Sequence, residues 1–186
     1  MRVITGSARG VRLKTPDGLE TRPTADRVKE ALFSSIQFAI EGRLVLDLFA
    51  GTGQLGIEAL SRGAARAVFV DSRREAVGLV RENLRRTKLA DRAEVVQVDY
   101  AAYLARCRET FDFILLDPPY AEKYLENALR TISEIDILSA GGIIICERPT
   151  EKPHPGNFPG LRADRDYRYG KTCITRYTKE TGGEGL

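Results

Sequence analysis

The sequence predicts a doubly wound α/β fold, with a mostly parallel sheet covered by helices. From Leu44 onward, short apolar segments alternate with segments whose apolar residues recur at helical spacing, which is the βαβα order of this class. The apolar segments are rich in valine, isoleucine and leucine on both faces, as is typical of parallel strands with helices on both sides. The chain has 186 residues, of which 42% are hydrophobic and 30% charged, so its length suits one ordinary globular domain.

The pattern divides the chain into an N-terminal extension over residues 1–41, a doubly wound domain over residues 42–180 and a frayed tail over residues 181–186. The extension is predicted to hold a β-hairpin over residues 2–13 and a helix over residues 25–40. The strands predicted in the domain are Leu44–Phe49, Ala67–Asp71, Glu94–Val98, Phe111–Asp117 and Gly142–Glu147. The predicted helices are Gln54–Arg62, Arg73–Thr87, Tyr100–Arg106 and Glu122–Leu138. The segments Leu161–Arg168 and Thr172–Tyr177 are predicted to form a C-terminal antiparallel hairpin.

Composition excludes several classes of protein. No apolar run approaches the roughly 20 residues that span a bilayer, and the N-terminus has no apolar core of a secretory signal. The three cysteines lie far apart in the sequence, and the single histidine provides neither a His-rich metal site nor a His-based triad. We therefore expect a cytoplasmic, monomeric protein that binds no metal and no membrane.

Positive charge is concentrated at the N-terminus. The net charge of the whole chain is +3. The first 16 residues carry four basic side chains and no acidic side chain. Arginine and lysine at such a density suit nucleic-acid phosphates, although a solvated basic surface produces the same pattern. The candidate phosphate contacts are Arg2, Arg9, Arg12, Lys14 and Arg22.

Carboxylates close four successive predicted strands. In doubly wound sheets, ligands bind beyond the carboxyl ends of the strands. The first turn, Gly51–Gly56, formally matches the dinucleotide pattern G-x-G-x-x-G, but Asp47 beside it would repel a pyrophosphate and suits a ligand with an ammonium group. Asp71 is placed to accept hydrogen bonds from a ribose diol, which a nicotinamide dinucleotide would also offer. An NAD-dependent oxidoreductase therefore stays open at this point.

The turn Asp117-Pro118-Pro119-Tyr120 directly follows the fourth predicted strand. Two consecutive prolines stiffen the backbone and leave carbonyl oxygens as acceptors, because proline has no N–H. A carboxylate and a carbonyl can accept from an amino group on a flat ring, and a tyrosine can stack on the ring face. The turn is therefore a candidate receptor for an amino-bearing base.

Five segments together resemble the S-adenosylmethionine-dependent methyltransferases that modify guanine N2 in bacterial 16S ribosomal RNA. The glycine turn and the Asp-Pro-Pro-Tyr turn are similar to those of amino-group methyltransferases that act on adenine or guanine. Three further segments resemble the 16S rRNA enzymes: Arg2–Gly6 with Arg9-Gly10, Arg22–Phe33 and Tyr169–Thr172. The resemblance thus runs from residue 1 to about residue 178.

This resemblance implies a Rossmann-like class I methyltransferase with S-adenosylmethionine as methyl donor. It places Gly51 and Gly53 at the methionine part of the donor, with Asp47 near its ammonium group. The methyl group is expected to pass directly from the donor to the amino group of the base. The turn that binds this amino group holds Asp117, Pro118, Pro119 and Tyr120. The remaining donor contacts that it implies are Asp71 at the ribose, Asp99 near the adenine amino group and Thr24 at the carboxylate.

The expected substrate is 16S rRNA within the 30S subunit or an assembly intermediate. Two alternatives remain from the sequence. An Asp-Pro-Pro-Tyr turn serves the adenine N6 amino group of DNA or RNA equally well, although the short chain leaves little room for a DNA-reading module. A non-catalytic RNA-binding assembly factor could retain the fold, but such a protein has no chemical need for the intact turn.

Overall fold

The computed structural model describes residues 1–16, 29, 30, 32, 33, 36, 39–119 and 123–180. A seven-stranded sheet in the order β3-β2-β1-β4-β5-β7-β6 dominates this part of the chain. Its strands are β1 (Leu44–Asp47), β2 (Arg66–Asp71), β3 (Ala93–Gln97), β4 (Phe111–Leu116), β5 (Leu138–Pro149), β6 (Leu161–Tyr169) and β7 (Thr172–Lys179). Among the described residues, four α-helices each connect two successive parallel strands: α1 (Gln54–Ser61), α2 (Arg74–Thr87), α3 (Tyr100–Arg106) and α4 (Tyr124–Ile135).

The strand order confirms the predicted doubly wound sheet with a C-terminal hairpin. Strands β1 to β5 pair in parallel, whereas β7 pairs antiparallel with both β5 and β6. After β3 the chain crosses to the other side of β1 and adds β4 there. The order of the strands therefore reverses between β1 and β4, which is where doubly wound sheets open a crevice for ligands.

Two apolar cores lie on opposite faces of the sheet. On one face, α1 and α2 pack with β1, β2 and β4, where Phe69 and Leu60 are completely buried. On the other face, α3 and α4 pack through Leu104 and Leu129. Burial on both faces explains why the parallel strands are almost continuously apolar. No helix in the described ranges combines the length and the apolar character that a membrane crossing requires.

The N-terminal hairpin is part of the first core. Arg2 and Arg12 form its single antiparallel bridge, and Val3 and Leu13 are buried in the core cluster that also holds α1 and α2. The residues between the two bridge positions form bends and turns. The hairpin fits here because its backbone binds polar groups of α1 and α2.

Glu58 and Ser61 of α1 hold the hairpin to the domain. Glu58 is fully buried and its carboxylate accepts from the backbone N–H groups of Ile4 and Thr5 at 2.8 and 3.0 Å. Arg62 donates to the same carboxylate at 2.9 Å, and the Lys29 Nζ lies 3.7 Å from it. The Ser61 hydroxyl accepts from Ala8 N–H at 3.0 Å and donates to the Thr5 carbonyl at 2.6 Å.

Several element boundaries differ from the predicted ones. Strand β5 begins four residues early, because Leu138 pairs with Phe111 across an irregularity in the register before the regular ladder resumes at Ile143. Helix α4 ends at Ile135, where Asp136 takes a left-handed conformation with φ 54°. Of the predicted helix over residues 25–40, the described residues 29, 30, 32 and 33 are helical, whereas residues 36 and 39 lie in turns.

Gly56 sets the distance between α1 and β2. A Cβ atom at this position would lie 2.3 Å from the Phe69 ring, which is completely buried and cannot move aside. Gly78 provides a matched contrast, since it is also helical but a Cβ atom there would meet no atom within 4 Å. The third glycine of the turn motif therefore has a packing role.

We expect Gly56→Ala to destabilise the protein by about 1–3 kcal/mol through overpacking. Gly78→Ala should instead stabilise it by about 0.5–1 kcal/mol, because alanine loses less backbone entropy in a helix. Urea unfolding followed by circular dichroism measures both. Equal effects of the two substitutions would contradict close packing at Gly56.

Candidate active site

A cleft of about 720 Å³ opens at the carboxyl ends of β1, β2 and β4. It lies at the reversal of strand order, between the turn after β1 and the turn after β4. Four predicted carboxylates line it, together with apolar side chains and both ends of the N-terminal hairpin. The lining includes Met1, Pro16, Asp47, Phe49, Gly51, Asp71, Arg73, Asp99, Tyr100, Asp117, Pro118, Pro119 and Tyr124.

The turn after β1 needs its first two glycines. Gly51 and Gly53 have φ angles of 56° and 78°, in the left-handed region that favours glycine. Gly53 begins α1, and its N–H donates to the Ala50 carbonyl at 2.6 Å. The Gly51 N–H donates to the Asp71 carboxylate at 3.0 Å, which ties this turn to the end of β2. Gly51 lines the cleft without a side chain, whereas Gly53 is not part of the lining, and a Cβ atom there would lie 3.2 Å from Ile57 and 3.3 Å from Val80.

Asp47 is buried at the end of β1, only 1% exposed. Its Oδ2 accepts from the Gly56 N–H at 2.9 Å and so satisfies one donor of the first turn of α1. The pKa of Asp47 is raised to about 7, chiefly because burial disfavours the charged carboxylate. The hydrogen bond from Gly56 lowers this pKa and the charge of Asp71 raises it, both by less than burial does. A cationic group in the cleft would offset this desolvation, which suits the predicted contact with an ammonium group.

Asp71 closes β2 with both carboxylate oxygens engaged. Oδ1 accepts from the Arg73 N–H at 2.9 Å and from its Nε at 3.2 Å, and Oδ2 accepts from Gly51 N–H and from Arg73 Nη2. A carboxylate offers about four lone-pair positions, so this one is saturated in the present state. The Arg73 side chain is 70% exposed, and an exposed ion pair is weak, so a ribose diol would need to displace only this guanidinium.

Asp99 caps α3, and an aromatic group stands beside it. The Asp99 carboxylate accepts from the Ala101 N–H at 2.8 Å. The ring of Tyr100 lies 5.1 Å from that of Phe49 and 5.6 Å from that of Tyr124. These three rings line the cleft between the strand-end acids and the proline turn. These rings were not among the predicted site residues, although Phe49 two residues after β1 and Tyr100 three residues after β3 could have indicated two of them.

Asp117, Pro118 and Pro119 form the opposite wall of the cleft. Burial raises the pKa of Asp117 well above its ordinary value, and the nearby charges of Glu147 and Asp47 raise it further. Asp117 and Asp47 are therefore brought into one electrostatic environment, as the strand ends predict. The predicted stacking residue Tyr120 lies outside the described residues.

The predicted phosphate contacts are distributed along the hairpin. The side chains of Arg2, Arg9, Arg12 and Lys14 are exposed, and Lys14 forms an ion pair with Glu82 at 3.1 Å. Both ends of the hairpin reach the cleft through Met1 and Pro16, whereas its turn lies against Ser61 at the far end of α1. Arg9 therefore lies farther from the cleft than the other three. Arg22 and Thr24 lie outside the described residues.

The Asn83 side chain joins the cleft to the hairpin. This fully buried amide donates to the Thr52 carbonyl at 2.9 Å and to the Lys14 carbonyl at 3.0 Å, and it accepts from the Lys14 N–H at 2.7 Å. Within the described ranges, no three histidine, cysteine, aspartate or glutamate side chains are grouped to hold a metal ion.

The family described as Conserved hypothetical protein 95 matches residues 1–178. The chain belongs to this family. Its relatives include a Bacillus subtilis (strain 168) protein named "Putative rRNA methyltransferase YlbH", 43% identical over 182 residues that cover 96% of this chain and 99% of the relative. The Escherichia coli (strain K12) protein "Ribosomal RNA small subunit methyltransferase D" is 33% identical over 99% of this chain and 92% of its own length. The resemblance to rRNA methyltransferases is thereby confirmed.

Solved structures agree with the fold. The structure described as "Putative methyltransferase yhhF from Escherichia coli" superposes with a TM-score of 0.84 at 32% identity, over 97% of this chain and 98% of that one. The predicted Rossmann-like methyltransferase fold is therefore confirmed. The strand-end acids of this chain lie in a cleft at the reversal of strand order, which is where doubly wound proteins generally bind their ligands.

The raised pKa of Asp47 makes stability depend on pH. The folded protein holds this proton up to pH 7, whereas an unfolded aspartate releases it near pH 3.8, so this group's contribution is lost as pH rises toward 7. The free energy of unfolding should fall by about 1.4 kcal/mol per pH unit between pH 5 and 7 from Asp47 alone. Asp47→Asn, which keeps an acceptor for Gly56, should remove that component from urea unfolding curves. If the free energy of unfolding varied with pH in the same way for the wild type and Asp47→Asn, the raised pKa of Asp47 would be contradicted.

Proposed function

We propose that this protein transfers a methyl group from S-adenosylmethionine to the exocyclic N2 of a guanine in 16S rRNA, within the 30S subunit or an assembly intermediate. The chain is an rRNA methyltransferase, as relatives matched over nearly its full length are named. The observation that carries the finer proposal is the pairing of two features in one cleft, the strand-end acids and the Asp117-Pro118-Pro119 turn.

The cleft fits the methyl donor in size and in chemistry. Its volume of about 720 Å³ lies in the usual range for small-molecule sites. Asp47 offers a buried carboxylate to an ammonium group, Asp71 a carboxylate to a ribose diol, and Gly51 a close approach of backbone. When bound, S-adenosylmethionine supplies an electrophilic methyl group on a sulfonium. The rings of Phe49 and Tyr100 provide apolar contact for an adenine.

Asp117 and the Pro118 carbonyl are proposed to bind the target amino group. The N2 lone pair of guanine is delocalised into the ring, so the nitrogen is a poor nucleophile. Acceptors for both N–H bonds favour a pyramidal nitrogen whose lone pair is directed at the methyl group. The rigid prolines fix these acceptors, so positioning and preorganised electrostatics supply most of the rate gain.

The reaction also leaves a proton to remove. A carbon–nitrogen bond forms as the carbon–sulfur bond breaks, and N2 then carries one proton too many. Burial and the neighbouring carboxylates raise the pKa of Asp117, which makes its carboxylate a better proton acceptor than an exposed one. Asp117 can therefore take this proton and pass it to water. The target base must leave its stack to reach the turn, as in other base-modifying enzymes.

The exposed basic side chains are proposed to bind rRNA phosphates. Arg2 and Arg12 flank the hairpin ends that reach the cleft at Met1 and Pro16. Phosphate contacts of this kind supply affinity and orientation without reading sequence. Glu58 holds the hairpin through its backbone, and the basic side chains of the hairpin lie at the surface.

Asp117→Ala should slow methyl transfer by about 100- to 1000-fold, because an acceptor for the amino group is lost. Donor affinity measured by calorimetry should change by less than about threefold, since Asp117 binds the base and not the donor. Asp117→Asn keeps one acceptor oxygen and should lose less. The assay incubates labelled S-adenosylmethionine with 30S subunits from cells that lack the enzyme, and mass spectrometry maps the product.

The same assay tests the target atom. Label on guanine N2 of 16S rRNA supports the proposal, whereas label on adenine N6, or on DNA alone, overturns it. Undiminished turnover by Asp117→Ala would remove this residue from the mechanism.

Neutralising the basic hairpin should weaken RNA binding in a salt-dependent way. We expect the triple substitution of Arg9, Arg12 and Lys14 by glutamine to lower the slope of log affinity against log salt by about 2–3, through lost counterion release. Filter binding to 16S rRNA over a salt series measures the slope. Arg108→Gln is the matched control and should leave the slope unchanged, because Arg108 is exposed just before β4, at the amino edge of the sheet and away from the hairpin and the cleft. Equal slopes for the triple variant and the wild type would contradict a role of the hairpin in RNA binding.

A further inference from the structure

A second carboxylate lies beside Asp117 at the carboxyl edge of the sheet. Strands β4 and β5 end their parallel ladder with the pair Leu116 and Cys146, so the next residues along the two strands, Asp117 and Glu147, are neighbours. The charge of Glu147 contributes to the raised pKa of Asp117, which shows that the two carboxyl groups are within electrostatic reach. Glu147 is half-buried and is not used in the mechanism above.

A second cavity begins where the cleft ends. It has a volume of about 400 Å³ and shares Pro118 and Pro119 with the cleft, so the proline turn separates the two spaces. Glu147 lines this cavity together with apolar proline rings and with basic side chains from the N-cap of α4, from β5 and from the loop that follows β5. The prolines are Pro118, Pro119, Pro149, Pro153 and Pro155, and the basic residues are Lys123, Arg148, Lys152 and His154.

The chemistry of the two carboxylates distinguishes the bases. The Asp-Pro-Pro turn alone accepts from any exocyclic amino group, so it cannot tell guanine from adenine. Guanine presents two adjacent donors on its Watson–Crick edge, the N2 amino group and the N1–H. Adenine presents its N6 amino group beside N1, which is an acceptor. Two neighbouring acceptors on the protein therefore match guanine, whereas adenine would set a lone pair against a carboxylate.

We propose that Glu147 is a specificity-determining residue, which accepts a hydrogen bond from guanine N1–H while Asp117 binds the N2 amino group. The base enters from the second cavity, between the proline faces, and its amino group meets the donor across the turn. This inference rests on the proposed function and deepens it, because it names the group that selects guanine. A site built to bind an N–H group rejects an analogue without it far more strongly than an apolar pocket would.

The test uses 2-aminopurine, which keeps the N2 amino group of guanine but has an unprotonated N1. Reconstituted 30S particles carry guanine, 2-aminopurine or adenine at the position that the wild-type enzyme methylates, and kcat/KM is measured for each. Wild-type enzyme should use 2-aminopurine at least about 100-fold less well than guanine. Glu147→Gln should narrow this ratio to less than tenfold, because a glutamine amide can accept from N1–H or donate to N1.

Glu134→Gln is the matched control, since Glu134 is exposed on α4 away from both cavities and should keep the wild-type ratio. Calorimetric binding of S-adenosylmethionine confirms that each variant is folded, and the wild-type ratio is informative without any variant. Use of 2-aminopurine within threefold of guanine by the wild type overturns the inference, as does a Glu147→Gln variant that keeps full discrimination. If the wild type places its methyl on another atom, the proposed function and the inference fail together.

Discussion

The hydrogen bond from the Gly56 N–H to the buried Asp47 carboxylate is the constraint on which the site depends. It joins the end of the central strand β1 to the first turn of α1, so the chain between them must turn sharply through Gly51 and Gly53. Close contact of Gly56 with Phe69 fixes the other side of the same helix. One strand end thus determines where the turn lies, and the turn determines the shape of the cleft.

Burial of acids at the strand ends destabilises their ionised forms. Beyond burial itself, the charge of Asp71 raises the pKa of Asp47, and the charges of Glu147 and Asp47 raise the pKa of Asp117. Such clustering destabilises the ionised protein and favours ligands that bring positive charge or N–H donors. A cationic methyl donor meets that requirement, and so would an amino-bearing base. Binding of such ligands would offset the destabilisation of the ionised carboxylates.

Local patterns in the sequence were sufficient for the sheet and for the acids at its edge. Asp47, Asp71, Asp99 and Asp117 follow apolar segments directly, and parallel strands bring such residues to one edge. Contacts between distant segments were not predictable, because no local pattern encodes them. The hydrogen bonds of Glu58 and Asn83 to the hairpin join residues 53 to 69 positions apart, and the adjacency of Asp117 and Glu147 depends on a register across an irregular ladder.

The manner in which the N-terminal hairpin is held has a consequence for biosynthesis. Its backbone bonds with Glu58, Ser61 and Asn83 span 53 to 69 residues of sequence. During synthesis the hairpin leaves the ribosome before α1 and α2, so its backbone cannot be fixed until both helices have been made and the intervening loops have closed. The hairpin therefore takes its native place only after these later segments, and until then its arginines are held in no fixed arrangement.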